Sequence, residues 1–268
     1  MKLILLISCM HEKDHSIIER SNVQTDVVVV NQCDKDSVDE FDFKNKKGET
    51  CHAKFISTKE RGLSRSRNMA IRNAWGDVCL ICDDDEWLSD DYADTIIKAY
   101  KDKSTADFIA FACEREGHSY PLKWQKLGFV QILKTSSIQM TFILNTIRKK
   151  NIFFDVLMGS GTGNGAGEEN KFMMQCRKEN LKMYYCPSVI TKLLTTNSLW
   201  NNGYNKEYFK NRGWSSRRIL GTFWGYCFMW YNILGHRKQF ISTEYSFCRV
   251  LFYFHKGFFE NREMSTKK

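Results

Sequence analysis

Apolar positions in this chain cluster in short unbroken runs. Lys2 to Ser8 reads K-L-I-L-L-I-S and Asp26 to Asn31 reads D-V-V-V-V-N. Neither alternates apolar with polar residues, so each predicts a strand covered on both faces. His15 to Asn22, between them, has helix-like spacing. Val78 to Cys82 is a third run. Ahead of it lies Glu60 to Trp75, E-R-G-L-S-R-S-R-N-M-A-I-R-N-A-W, where a Gly and Ser turn opens a helix with Leu63, Met69, Ala70 and Ala74 on its apolar side. Further on, Phe172, Met173 and Cys176 mark the buried face of another helix. Buried strands separated by helices predict an α/β fold with a mostly parallel central sheet, and such sheets gather ligands at the carboxyl ends of their strands.

The third strand runs straight into Asp83-Asp84-Asp85. Adjacent like charges resist joint ionisation unless a cation sits among them. Strand alternation would point Asp83 and Asp85 together and Asp84 across. Oxygen ligands with open positions suit Mn²⁺ or Mg²⁺ holding a diphosphate. The plainer alternative is a solvated turn capping the next helix. Arg61, Arg65 and Arg67 crowd the first turns of the preceding helix, where cations oppose the dipole. A bound phosphate would account for them, because the guanidinium fork fits it; the alternative is that they are solvated on a polar face.

In order, Gly62, Ser66-Arg67-Asn68, Trp75-Gly76-Asp77, Val78 to Cys82 and the Asp triplet resemble the core of the family 2 glycosyltransferases. The resemblance implies a GT-A (Rossmann-like) fold and a nucleotide-sugar donor, a UDP-sugar first. It implies a metal at Asp85 helped by Asp83, with Asp83 or Asp84 as the ribose contact. Donor-side candidates are Ser8, Asn31, Asp34, Arg61, Arg65, Arg67, Asn68, Asp83 and Asp84. Ser8-Cys9-Met10-His11 replaces the family's Pro-Thr-Tyr-Asn run, and Asn31-Gln32-Cys33-Asp34 replaces its Asp-Asp-Gly-Ser. Asn31 and Asp34 stay as candidates for uracil or ribose.

Gly159 to Asn170 reads G-S-G-T-G-N-G-A-G-E-E-N. A glycine loop can cradle phosphate, but no P-loop lysine follows it. The resemblance instead sets Gly167-Glu168-Glu169 in the place of the family's G-E-D, with Glu169 as general base and Glu168 as its substitute. Acids also favour a helix's first turn for the dipole alone. Ser198-Leu199-Trp200, Tyr208 and Arg212-Gly213 are loosely similar to the segment that follows in the family. The activity implied is metal-dependent, inverting transfer to a hydroxyl of a saccharide or lipid-linked oligosaccharide acceptor, in the making of a surface polysaccharide. Two alternatives stay open: a non-catalytic saccharide-binding or scaffolding protein, and a sugar nucleotidyltransferase, although Leu6 to Asp14 lacks a glycine-rich phosphate motif.

Charge divides the chain of 268 residues. Residues 1–191 carry 27 Lys plus Arg against 27 Asp plus Glu, whereas 192–268 carry 13 against 4, so the whole net charge of +9 lies in the tail. This predicts a catalytic domain over 1–191, with a nucleotide half over 1–113 and an acceptor half over 114–191, and a helical extension over 192–268. Glu114 to Lys126 is expected as a surface loop near the acceptor side. Ile219 to Gly235 is an uncharged aromatic run of 17 residues between Arg217-Arg218 and His236-Arg237-Lys238, and Leu251 to Phe259 is a second aromatic group. Such a run is short for a bilayer, and its Trp and Tyr suit the headgroup zone. Residues 217–259 are therefore expected at a membrane surface, the alternative being that these aromatics pack on the catalytic domain or in a dimer interface. No nucleic-acid module is evident, and the catalytic half is neutral, so no nucleic-acid partner is expected. Cys79 and Cys82 form a C-x-x-C without a second ligand pair, which reads as buried thiols. Ten cysteines without pairing rhythm and no signal-peptide pattern predict a cytoplasmic protein, peripheral at the inner face of the membrane.

Overall fold

The computed structural model describes residues 1–194, 203–241 and 244–263. The chain begins with β1 (Leu3–Met10), α1 (Ile17–Arg20), β2 (Asp26–Gln32), β3 (Ser37–Lys44), β4 (Thr50–Thr58), α2 (Leu63–Asn73), β5 (Val78–Asp83) and β6 (Glu86–Leu88). It continues with α3 (Tyr92–Asp102), β7 (Phe108–Glu114), β8 (Gln125–Lys126), α4 (Phe129–Ile132), β9 (Met140–Ile143), α5 (Leu144–Lys149), α6 (Glu168–Lys178) and β10 (Met183–Leu193). Then come α7 (Lys206–Gly235), α8 (Arg237–Phe240) and α9 (Phe247–Phe259).

The strands form one sheet in the order β3-β4-β2-β1-β5-β9-β7-β10-β6, with β8 against β10. Strands β4, β2, β1 and β5 run parallel. Beyond β5 the sheet is mixed, because β9 enters antiparallel to both β5 and β7. The parallel character is thus concentrated in the amino-terminal half. Ile4 and Leu6 of β1 pack with α2 and α6 on one face, while Leu3, Leu5 and Ile7 pack with α1 and α3 on the other. That two-sided burial is why these strands are apolar at every position. Cys79 and Cys82 fall in the two opposite cores, so their thiols cannot share a metal. All ten cysteines are free.

Strand β5 ends at Asp83, and Asp84 and Asp85 form a turn into β6. The alternation expected through the triplet therefore stops at Asp83. Glu86 closes the turn by accepting from the Asp83 amide at 2.8 Å, while the Asp85 carbonyl accepts from Leu194 N at 2.9 Å. The expected loop after Glu114 is bounded by β7 and β8, and Leu122 within it is exposed.

The uncharged run is not one straight helix. Gly221, at φ 77° and ψ −172°, breaks α7 into two arms. They fold back on each other, with Gly225 against the Ser216 backbone and Arg212 Nη2 donating to Asn232 Oδ1 at 3.1 Å. Helix α9 crosses the first arm where Gly213 meets Phe254 and Gly257 meets Lys210, approaches that leave no room for a Cβ. Phe209, Met229, Ile233, Phe240, Phe254 and Phe258 fill the space between. The helices sit on the sheet unit through Trp214 and Ile219, which pack with Met158. Arg218 Nε and Nη2 donate to Asp155 at 2.6 and 3.0 Å. Ser198-Leu199-Trp200 lies outside the described residues. Tyr208 and Arg212-Gly213 belong to α7.

Candidate active site

The carboxyl ends of β1, β2 and β5 meet the start of α2. In register, Ser8 lies opposite both Val30 and Asp83. Helix α2 turns an unusual face to the sheet: Ser64, Arg67, Asn68 and Ile71, at i, i+3, i+4 and i+7, are all buried. Its first two turns therefore enter the interior polar and must find partners there.

They do. Ser66 Oγ donates to Ser8 Oγ at 2.9 Å, and Ser64 Oγ donates to the Met158 carbonyl at 2.8 Å. Asn68 clamps Phe154, donating to its carbonyl and accepting from its amide, both at 2.8 Å. Arg67 is 1% exposed. Its Nη2 donates to Asp83 Oδ1 and Oδ2 at 2.8 and 2.9 Å, and its Nη1 to Glu168 Oε1 at 3.0 Å. The guanidinium lies over the Phe154 ring, 5.3 Å from its centre. Burial alone would lower its proton affinity, but Asp83 and then Glu168 outweigh it, and its pKa is raised.

These contacts give several of the expected residues structural partners. Arg67 is not a surface fork for phosphate, because two carboxylates already hold it. Both oxygens of Asp83 accept from Arg67, and Ser137 Oγ donates to Oδ2 at 3.2 Å. Asn68 is engaged by the backbone of Phe154. Asn31 holds the loop after β1, accepting from Glu12 N at 3.0 Å and donating to Glu12 O at 2.9 Å. Ser8 is buried against Ser66. Arg61 ties the strand ends together through Cys33 O at 2.8 Å and Thr58 O at 3.1 Å, and reaches the exposed Asp34 at 2.6 Å. Arg65 pairs with Glu60 at 2.7 Å.

At the opposite wall the glycine loop leads into α6. Gly167 precedes the helix at φ 103°. Glu168 is buried and accepts from the Gly167 amide at 3.2 Å. Glu169, half-buried beside it, has its carboxyl pushed up to about 8 by burial and by the Glu168 charge. The loop is packed against α2: Leu63 N donates to Ser160 O at 2.9 Å, and a Cβ on Gly161, at φ 79°, would stand 3.2 Å from Gly62 Cα.

Glu86 was not among the expected residues. It is buried, it caps the Asp83 amide, and its carboxyl is pushed well above the usual range by burial and by Asp83. The only local sign is a fourth acid after the triplet. Ser137 gave no local sign, since its partner lies 54 residues away. Asp84 is also raised, by burial of the turn and by Asp83 and Asp85.

Among the described residues, no three His, Cys, Asp or Glu side chains converge as a metal site. The donor set at the turn nevertheless fits a hard divalent cation. Asp84 and Asp85 are consecutive carboxylates of the turn, and carboxylate oxygen is a ligand type that Mg²⁺ or Mn²⁺ takes along with phosphate and water. A surface cleft of about 560 Å³ lies at the amino ends of β1 and β2, lined by Met1, Lys2 and Asp26, away from this constellation.

The sequence pattern described as Glycosyl transferase family 2 matches residues 15–166. No curated protein matches the chain. Among solved structures, TarS 1–349 of S. aureus superposes with a TM-score of 0.55 at 14% identity, over 83% of this chain and 66% of that one. Its complex with UDP-GlcNAc gives 0.57 at 15% identity, over 83% and 68%. The mannosyltransferase PcManGT from Pyrobaculum calidifontis, in complex with GDP-Man and Mn²⁺, gives 0.50 at 12% identity, over 81% and 62%. The chain thus spans about two thirds of the TarS fragment's length. At these identities the likeness is one of fold.

Proposed function

Because the chain belongs to glycosyl transferase family 2, and so is a glycosyltransferase, we propose that it moves a sugar from a nucleoside-diphosphate donor to a hydroxyl of a saccharide acceptor, inverting the anomeric centre. The donor binds at the carboxyl ends of β1, β2 and β5, and Glu169 is the general base. The observation that carries this reading is the buried Arg67. It joins Asp83, at the end of β5, to Glu168, at the start of α6, which supports reading the Asp triplet and the Glu168-Glu169 pair as parts of one site.

The acceptor hydroxyl gives its proton to the Glu169 carboxylate as its oxygen forms a bond to the anomeric carbon. The bond from that carbon to the diphosphate oxygen breaks, and the nucleoside diphosphate leaves with the electron pair. A carboxyl near 8 suits this role, because a base is most effective when its pKa lies close to the working pH. Glu168 is committed to Arg67 and orients the start of α6. Mn²⁺ or Mg²⁺ would be held by Asp85 with Asp84 beside it, where it supplies neutralising charge for the departing diphosphate. In this reading the donor is a UDP-sugar, and the acceptor is a lipid-linked saccharide in surface polysaccharide synthesis.

Isothermal titration of UDP and GDP, with Mn²⁺ and with chelator, tests the donor site. Metal-dependent binding of one nucleotide, lost in Asp85→Ala, is the expected result. Absence of binding under every condition would overturn the reading in favour of a non-catalytic saccharide-binding protein.

A further inference from the structure

We infer that the second arm of α7, with α9 beside it, docks on an anionic lipid surface through a defined aromatic face, and that this face adjoins the acceptor side of the site. The docking is read from the surface alone; its service to a lipid-linked acceptor rests on the glycosyl-transfer reading.

On the second arm, Asn232, Gly225, Met229 and Ile233 face inward and are buried. The solvent side carries Phe223, Cys227, Tyr231 and Leu234, at i, i+4, i+8 and i+11, with Trp224 next to them. Phe223 is 71% exposed, Trp224 59%, Tyr231 68% and Leu234 52%. An ordinary surface helix is polar on this side. Here no charge occurs from Ile219 to Gly235, and the apolar stripe is continuous and open. Helix α9 joins the arm through His255, which hydrogen-bonds Tyr226 at 2.8 Å and meets Trp230 edge-on. Its own solvent side exposes Phe252 and Phe259 among Arg249 and Lys256.

The charge around the stripe selects the occupant. His236, Arg237 and Lys238, all exposed, follow the arm directly. Aromatic rings with a basic border match anionic headgroups above an acyl layer. Among the described residues no helix is long and apolar enough to cross a membrane, so the face lies on the surface rather than spanning it.

Its position is held firmly. Ile219, two residues before the break, approaches Gly167 so closely that a Cβ there would press on its Cδ1, and Gly167 precedes Glu168 and Glu169. Past the break, Trp224 packs against Phe129 of α4, the two ring centres 6.1 Å apart. The loop after α4 reaches α6, where Asn170 Nδ2 donates to Ile132 O and Thr135 O at 2.9 and 3.1 Å. A membrane under the stripe therefore lies next to the wall that carries the base.

The test uses the full chain with a Cys248→Ser change, so that Cys227 is the one exposed thiol, in sedimentation with vesicles of phosphatidylcholine alone or with one third phosphatidylglycerol. Binding to the anionic vesicles, weakened by salt, is expected, together with shielding of Cys227 from a water-soluble maleimide. Phe223→Ser with Tyr231→Ser should reduce binding by roughly tenfold or more, and Arg237→Glu with Lys238→Glu should remove the preference for anionic lipid. Both pairs are exposed, so circular dichroism and nucleotide titration should be unchanged. Nucleotide binding without vesicle binding overturns the docking face and leaves the donor site standing. Concentration-dependent dimerisation that Phe223→Ser abolishes, without vesicle binding, assigns the stripe to a second copy and also overturns it.

Discussion

Arg67 Nη1 stands 3.0 Å from Glu168 Oε1, across 101 residues of sequence, while the same guanidinium grips Asp83 with its other nitrogen. Removing the arginine leaves two carboxylates in the interior without their cation. Breaking a buried pair from one side typically costs about 3–5 kcal/mol. Arg67→Met should therefore lower the melting temperature strongly. Arg67→Lys should fall between, because an ammonium cannot hold Asp83 with two bonds and reach Glu168 as well. Thermal denaturation followed by circular dichroism measures both.

Asp83 and Asp85 should respond differently to substitution. Asp83→Asn withdraws a charge from Arg67, and its main effect should be on stability. Asp85→Ala should abolish metal-dependent nucleotide binding. Calorimetric titration with Mn²⁺ and with chelator separates the two. Equal loss of nucleotide binding with unchanged stability in both variants would contradict this division.

Glu169→Gln should lower kcat by about 10²- to 10⁴-fold while nucleotide affinity is kept. For the wild type, the active form is the ionised carboxylate. Rates should rise about tenfold per pH unit on the acid side and level off above about 8. A flat profile from pH 5 to 9 would exclude Glu169 as the titrating base.

The same carboxyl has a stability consequence. Its folded pKa, about 8, lies above the ordinary 4.5, so the folded state holds the proton more tightly. The stabilisation is fully present below the unfolded value and is lost as pH rises through 8. Glu169→Gln should therefore be more stable than the wild type at pH 8.5, by roughly 1–3 kcal/mol of unfolding free energy after allowance for solvent at the exposed edge. The difference should shrink toward pH 5.

Thiol chemistry offers an independent check on the packing. Cys227 and Cys248 are exposed, whereas the other eight cysteines are buried. Burial pushes the thiols of Cys9, Cys79, Cys82 and Cys176 far up. Two fast-reacting thiols are expected in the folded chain and ten in denaturant. Fast reaction of Cys79 or Cys82 would mean that β5 is not sandwiched between the two cores.

What the sequence determined by itself rests on short-range physics. The runs in β1, β2 and β5 are legible because a strand buried on both faces must be apolar at consecutive positions, and the Gly62 to Asp85 pattern marks the family because its parts follow one another directly in the chain. The glycines before Glu168 and Glu169 announce a tight loop at a helix start for the same local reason. The tertiary structure decided what those residues do. A guanidinium's role depends on its partners, and those of Arg67 lie 16 and 101 residues away, so the residue that looks like a phosphate fork is the internal tie of the site. The turn at Asp84 and Asp85 depends on Glu86 folding back and on Leu194 arriving from β10, neither of which strand alternation contains. The aromatic run after Ile219 is visible as composition, but which rings face outward was decided by the break at Gly221 and by the partners that cover Gly225, Met229 and Ile233.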